Sequence, residues 1–95
     1  MIFTSVRDGD TDYAETNDLM MRLAREQPGF LGVESAGGGG ALGITVSYWR
    51  SLEDIAAWKA QADHQIAQRR GRSEWYRRFR LRVAKVERQS GFDRP

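Results

Sequence analysis

The chain has 95 residues, of which 40% are hydrophobic and 29% charged, a composition typical of one soluble globular domain rather than a disordered segment. It contains no cysteine, which excludes disulfide bonds and thiolate metal sites, and no apolar run near the roughly 20 residues that span a bilayer. The formal net charge of +2 conceals an asymmetry, because acidic residues dominate before residue 58 and basic residues after it. We therefore expect one cytoplasmic domain over residues 1–95, with residues 91–95 as a tail and no membrane partner.

Residues 2–7 predict the first strand, because their side chains would alternate between two faces of a sheet. Asp10 or Thr11 can cap the helix that follows. The core stripe predicted for this helix recurs at helical spacing and consists of Tyr13, Asn17, Met20, Met21 and Ala24. The helix is expected to end at Gln27-Pro28-Gly29, since proline lacks the backbone N–H and glycine favours a turn.

Residues 30–36 predict the second strand, and glycines 37–40 predict a loose hairpin into the third strand, residues 44–49. Gly38, Gly40 and Gly43 formally match the dinucleotide-binding fingerprint. That fingerprint must open a helix so that phosphates meet its N-terminus, whereas a strand follows here. We interpret the segment as a hairpin and expect no dinucleotide cofactor.

The third strand leads directly into the second helix, and we expect any chemistry at this corner. Ser51 and Asp54 form a helix start signal, and the helix is predicted to run to Arg70, before Gly71 interrupts it. Its predicted core stripe is Leu52, Ile55 and Ala56, with Trp58 and Ala62 on the flank.

Residues 79–88 predict the last strand. The order β-α-β-β-α-β indicates an α+β, ferredoxin-like fold, in which an antiparallel four-stranded sheet carries both helices on one face. Apolar and aromatic side chains occur on both faces of the predicted strands, more than two helices can cover. Since an exposed apolar face favours aggregation, we expect a second copy to cover it and form a homodimer.

Several aromatic or titratable side chains near the corner are candidates for a site: Trp49, Trp58, His64, Trp75 and Tyr76. Such a cluster can line a pocket for a flat apolar ligand or fill the interior of a small dimer. Trp58 and His64 are six residues apart, so on an ideal helix they point about 120° apart and share only a wide cavity. His64 is the only histidine, and without a second histidine or a cysteine we expect no metal site, although haem can use one axial histidine.

Arginines crowd the C-terminal half: Arg69, Arg70, Arg72, Arg77, Arg78, Arg80 and Arg82. They can form a solvated face that pairs with the acidic half, or recognise an anionic ligand, and Arg82 is our candidate for the second role. Because they are spread over helix and strand positions without a recognised motif, we expect no nucleic-acid partner.

Three groups of residues form a family pattern: Pro28-Gly29-Phe30-Leu31-Gly32, Ser47-Tyr48-Trp49-x-Ser51-x-Glu53-x-Ile55-x-Ala57-Trp58-Lys59 with the later His64, and Trp75-Tyr76 before Arg82-Val83-Ala84-Lys85-Val86-Glu87-Arg88. This pattern resembles the antibiotic-biosynthesis-monooxygenase superfamily, and within it the small haem-degrading-monooxygenase-like proteins. The resemblance implies a dimeric α+β barrel with one pocket per subunit between the sheet and the helices.

Active members of that superfamily oxidise a phenolic substrate with O₂ without metal or flavin, or use haem as both substrate and cofactor. The tryptophan of the second helix corresponds to Trp58. Haem-degrading members also have a histidine ten residues after that tryptophan and an asparagine on the first strand. This chain has Gln68 at that distance and no asparagine on its first strand.

We interpret the chain as a cofactor-independent monooxygenase acting on a hydrophobic aromatic, phenolic or quinol-like substrate. In this interpretation Trp58 shapes the cavity and His64 accepts or relays a proton. The expected substrate-binding residues are Trp49, Trp75, Tyr76 and Arg82. Three alternatives remain: haem binding and degradation with His64 as axial ligand, a non-catalytic dimer that binds a small ligand, and nucleic-acid binding through the arginine face, against which the spread of the arginines counts.

Overall fold

The structure is a computed structural model that describes residues 1–7, 13–37, 41–68 and 76–95, apart from the side chains of residues 13–16 and 66–68. The elements in chain order are β1 (Ile2–Arg7), α1 (Tyr13–Arg25), β2 (Phe30–Ala36), β3 (Leu42–Trp49), α2 (Leu52–Gln68) and β4 (Tyr76–Arg82). This order confirms the predicted ferredoxin-like α+β fold. Neither described helix is long and apolar enough to cross a membrane.

Among the described residues the strands form one antiparallel sheet in the order β2-β3-β1-β4. The register pairs Ile2 with Val46 on one side and with Arg82 on the other, and paired residues face the same side of the sheet. The face covered by the helices, called the covered face, carries Phe3, Ser5, Arg7, Val33, Ser35, Gly43, Thr45, Ser47, Tyr76, Phe79 and Leu81. The opposite, open face carries Ile2, Thr4, Val6, Glu34, Ala36, Leu42, Ile44, Val46, Tyr48, Arg78, Arg80 and Arg82.

Helix α1 packs on the covered face through a short apolar stripe. Met20 and Ala24 lie one turn apart and are buried, as the periodicity predicts. Asn17 is exposed at one end of the stripe, and the side chain of Tyr13 lies outside the described part of the chain. The stripe anchors α1 at one end of the sheet and leaves room beneath its first turns.

The start of α2 is fixed as the sequence predicts. The backbone N–H of Asp54 donates to Ser51 Oγ at 3.2 Å, and the Ser51 hydroxyl donates to the Asp54 carboxylate at 2.9 Å. Gly29, at φ 82°, lies against that carboxylate, where any Cβ would clash with Asp54. Arg50 adds an ion pair of 3.3 Å to Asp54, and its N–H donates to the Gly29 carbonyl at 2.8 Å. The network joins the β3–α2 corner to the loop before β2.

The buried side of α2 differs from the predicted stripe. Among the described side chains of this helix, Trp58 and Ala62, one turn apart, are buried, whereas Leu52 is 71% exposed and Ala56 is also exposed. The prediction was wrong because apolar residues occur on more than one side of α2. Spacing alone does not say which side meets the sheet, and the sheet contact of the large Trp58 side chain decides it.

The end of the sheet also differs from the prediction. β4 covers Tyr76–Arg82 rather than residues 79–88, and β3 begins at Leu42 rather than at residue 44. Arg82 pairs with Ile2, the first residue of β1, so the chain beyond it has no strand to pair with. Residues 83–95 are exposed and carry no regular secondary structure. The predicted cap at residues 10–11, hairpin residues 38–40 and the helix break at residue 71 lie outside the described residues.

The hydrophobic core is small and lies at one end of the molecule. Its buried members in the described part of the chain are Met20, Ala24, Trp58 and Ala62, with Met1, Leu23, Phe30 and Trp49 packed against them. Both helices therefore meet the sheet tightly near the end of β3, which leaves space between helices and sheet farther along the strands.

Candidate functional site

A cavity of about 470 Å³ lies between the covered face of the sheet and the two helices. Its volume falls in the range of about 300–1,000 Å³ that is usual for small-molecule sites. The covered face forms the floor, and both helices supply the remaining walls. The helix residues that line it are Asn17, Asp18, Met20, Met21, Ala24, Trp58, Lys59, Ala62 and Asp63.

One end of the cavity, called the Trp58 end, adjoins the hydrophobic core. The Trp58 ring is 5% exposed and stacks on Trp49, with ring centroids 6.0 Å apart and planes inclined by 20°. Trp49 Nε1 donates to Ser47 Oγ at 2.9 Å, and Ser47 is a buried residue of the cavity floor. Trp49 thus holds Trp58 and Ser47, two residues of the cavity lining, in position without lining the cavity itself.

The opposite end, called the β4 end, is lined by three aromatic rings. Phe3 lies 5.5 Å from both Tyr76 and Phe79, and the Tyr76 and Phe79 ring centroids are 5.7 Å apart. Ser5 and Gly43 are cross-strand partners and form the floor beside these rings. Ser5 is 3% exposed, and a Cβ placed on Gly43 would meet Ser5 Oγ at 3.4 Å, so the glycine leaves the space beside the hydroxyl open.

Charged side chains occur at the exposed rim and at one end of the floor. Lys59 Nζ pairs with Asp63 Oδ2 at 2.7 Å, and Asp18 is an exposed carboxylate on the wall. Arg7 lines the cavity at the last residue of β1. Burial lowers the pKa of the Met1 amino group, which also borders the cavity. No cluster of three potential metal-ligating side chains occurs among the described residues.

The aromatic candidates from the sequence fall in different places. The structure puts Trp58 and Tyr76 on the cavity wall at opposite ends. Trp49 lies behind Trp58 and does not itself line the cavity. Trp75 lies outside the described residues.

The two polar candidates do not reach the wall. The side chain of His64 is exposed on α2 and is absent from the cavity lining, as its angular separation from the buried Trp58 predicts. Arg82 is exposed on the open face of the sheet. Since His64 is the chain's only histidine, the cavity offers haem no axial imidazole, so its residues do not fit a histidine-ligated haem.

Sequence reasoning missed the floor of the cavity. Ser5, Thr45 and Ser47, together with Gly43, take positions under the helices where large aliphatic side chains are usual. A run of small polar residues on the helix-facing side of two predicted central strands is the signal that can reveal such a hollow. It requires the register between β1 and β3, which local patterns do not supply.

Comparison with known proteins identifies a family, a curated relative and a similar solved structure. A family model described as antibiotic biosynthesis monooxygenase matches residues 3–70, a segment that includes Trp58. The uncharacterized protein YqjZ of Bacillus subtilis (strain 168) is 50% identical over 93 residues, which cover 97% of this chain and 82% of YqjZ. The crystal structure of PA3566 from Pseudomonas aeruginosa matches with a TM-score of 0.62 at 15% identity, over 87% of this chain and 91% of that chain. The last likeness shows a shared fold.

Proposed function

Because the chain belongs to the antibiotic biosynthesis monooxygenase family, we propose that it is a small monooxygenase that oxidises a hydrophobic aromatic substrate of the phenolic or quinol type. The observation that carries the proposal is the cavity of about 470 Å³ with Trp58 at one end and three rings at the other. A flat aromatic molecule buries most of its surface between such walls.

The proposed reaction takes its electrons from the substrate. A deprotonated phenol or enolate reduces O₂, one oxygen atom bonds to the ring carbon, and the other leaves as water. With anthrone as substrate, anthrone plus O₂ gives anthraquinone plus water, and no further reductant enters the balance. We therefore propose a reaction without metal or flavin.

The contribution of the protein is to bind, orient and shield the substrate. Trp58 offers a flat surface whose position is fixed by the stack on Trp49. Asp18 is an exposed carboxylate on the cavity wall, and we assign it as the acceptor of the substrate proton. His64, which the sequence suggested for that step, lies off the wall and has no part in the proposed reaction.

The test is the rate of anthrone oxidation under oxygen, corrected for the rate without protein. Replacing Trp58→Phe or Asp18→Asn is expected to lower kcat/KM about tenfold or more, because each alters a group on the wall. His64→Ala is the matched control on the exposed side of α2 and should stay within about twofold of wild type. Equal rates for all variants would overturn the proposal, and binding of anthrone without product would favour a non-catalytic ligand-binding dimer.

We also propose that the working unit is a homodimer joined through the open faces. Leu42 and Ile44, on a central strand of the described sheet, are 56% and 40% exposed in the single chain. A contiguous aliphatic patch of this kind is usual at interfaces between subunits. A sheet of a second copy has the matching shape because a twofold axis pairs identical faces.

The charges on the open face favour one arrangement of the two copies. Arg78, Arg80 and Arg82 lie on β4 at one edge of the sheet, and Glu34 lies on β2 at the other edge. A twofold axis along the strands places β4 of one copy over β2 of the other and opposes unlike charges. An axis across the strands would stack arginine on arginine, which costs free energy. The mass in solution tests the dimer itself.

A further inference from the structure

We propose that Ser5 and Gly43 form a subsite at the β4 end of the cavity that hydrogen-bonds an oxygen atom of the aromatic ligand. This inference rests on the proposed function for the aromatic character of the ligand. It adds the position of the ligand's oxygen substituent and the protein group that hydrogen-bonds to it.

The first observation is a buried hydroxyl without a partner. Ser5 is 3% exposed, lines the cavity, and makes no side-chain hydrogen bond within the described part of the chain. Buried polar groups are almost always hydrogen-bonded, so an orphaned one calls for a missing partner. Ser47, the other buried serine of the floor, accepts the Trp49 indole N–H at 2.9 Å. The contrast singles out Ser5 as the group whose partner is a ligand.

The second observation is the space beside that hydroxyl. Gly43 faces Ser5 across the strand pair, and the nearest atom to a Cβ placed there is Ser5 Oγ at 3.4 Å. Any side chain at residue 43 would therefore occupy the approach to the hydroxyl. Phe3 and Phe79 pack beside this notch with ring centroids 5.5 Å apart. A ligand ring can lie against them with its oxygen directed to Ser5.

The chemistry of the subsite defines the class of ligand. A serine hydroxyl both donates and accepts, so it fits a phenol oxygen or a carbonyl oxygen, the two forms that an oxygenated ring takes. Gly43 and Ser47 are four residues apart on β3, which places the Ser5 notch about 13 Å along the strands from the Trp58 end. A ligand that touches both is elongated and carries its oxygen at one end, as fused-ring phenols and quinols do.

The experiment compares two probes that differ only in the oxygen: 2-naphthol and naphthalene, measured by equilibrium dialysis with the full chain. Wild type is expected to bind 2-naphthol about five- to tenfold more tightly than naphthalene. Ser5→Ala should bind both equally while keeping the wild-type affinity for naphthalene. Thr4→Ala, which removes the hydroxyl of the neighbouring residue on the open face, should keep the preference.

Gly43→Ala supplies an independent variant, because it keeps the hydroxyl and places a methyl group against it; it should also lose the preference for 2-naphthol. The inference is overturned if wild type shows no preference, binds neither probe, or shares its preference with Ser5→Ala or Gly43→Ala. The binding readout needs no turnover. Lack of anthrone oxidation with the preference intact therefore counts against the oxygenase alone, and oxidation without the preference counts against the subsite alone.

Discussion

Beneath the helices the two central strands carry four small side chains, Ser5, Gly43, Thr45 and Ser47, beside the larger Phe3 and Arg7, whereas on the open face the same strands carry Ile2, Val6, Leu42, Ile44 and Val46 beside Thr4 and Tyr48. Burying each aliphatic side chain contributes about 1.5–3 kcal/mol, so a sheet that only had to hold helices would place them on the covered side. This distribution leaves a cavity with a polar floor under the helices and an apolar surface on the open face. It is the physical basis for proposing a ligand on one face and a second copy on the other.

A charge on the open face should have the largest effect. Ile44 lies on the open face by its register and is 40% exposed in the single chain, although it also borders the cavity, and we expect Ile44→Asp to leave the fold of each copy intact. In the dimer the new carboxylate would be buried without a partner, and we expect the dissociation constant to rise about a hundredfold or more. Sedimentation velocity at micromolar protein measures the change.

Leu52→Asp is the matched control, because Leu52 is 71% exposed and lies on α2, on the other side of the sheet. It should leave the mass in solution at the wild-type value. A wild-type monomer, or an Ile44→Asp variant that is as dimeric as wild type, would contradict the proposal that a second copy packs on the open face.

On the covered face, the same substitution at two serines should change stability in opposite directions. Ser5→Ala removes a buried hydroxyl that lacks a partner in the described structure, and we expect the free energy of unfolding of ligand-free protein to rise by about 1 kcal/mol. Ser47→Ala leaves the Trp49 indole N–H without its acceptor and should lower the free energy of unfolding by about 1 kcal/mol. Urea denaturation gives both values. Destabilisation of similar size at both positions would mean that Ser5 has a partner within the chain.

The smallest expected effect is a titration on the open face. The Tyr48 hydroxyl donates to Glu34 Oε1 at 2.8 Å, and this hydrogen bond raises the pKa of the phenol above its ordinary value of 10.0. A pKa raised by folding means that the bond stabilises the protein below the ordinary value, and that the contribution is lost as pH rises through the raised one. Glu34→Gln should return the Tyr48 pKa toward 10.0 in an ultraviolet titration.

The comparison sharpens if the titration is repeated in Ile44→Asp. Covering the open face removes water from the phenol and favours its neutral form, whereas the arginines of the second copy favour its charged form, so comparing the Tyr48 pKa in the dimer and in the monomeric variant shows which effect is larger. Tyr48→Phe identifies which tyrosine is being titrated. Identical curves for wild type and Glu34→Gln would show that the hydrogen bond is not kept in solution.

Local signals were enough to predict the element order and the β3–α2 corner. Ser51 and Asp54 cap α2 as their spacing indicates, because both partners lie within one turn of chain. The phase of α2 was misjudged at Leu52, since the side that meets the sheet depends on contacts between distant segments. The end of β4 was misjudged for a related reason: the strand stops at Arg82, which pairs with Ile2, the first residue of β1.

Some residues of the candidate site could likewise be predicted from the sequence and others could not. Family resemblance pointed to Trp58, which the structure places on the cavity wall, and the aromatic count pointed to Tyr76, which lines the other end. Ser5 could not be identified as a candidate, because a serine in a strand does not indicate a binding site until the register shows that Gly43 lies opposite it. His64 attracted notice through its chemistry, yet helical geometry turns it away from Trp58.

The contact between Gly29 and Asp54 has a consequence for the shape of the cavity. One carboxylate caps α2, pairs with Arg50 and seats a glycine that tolerates no side chain, and Trp58 follows one turn later. The start of α2, and with it the position from which Trp58 enters the cavity wall, is therefore tied to a loop whose Gly29 does not line the cavity. A substitution at Gly29 would displace Asp54 and so shift the start of the helix that carries Trp58, changing the shape of the cavity without altering any residue that lines it.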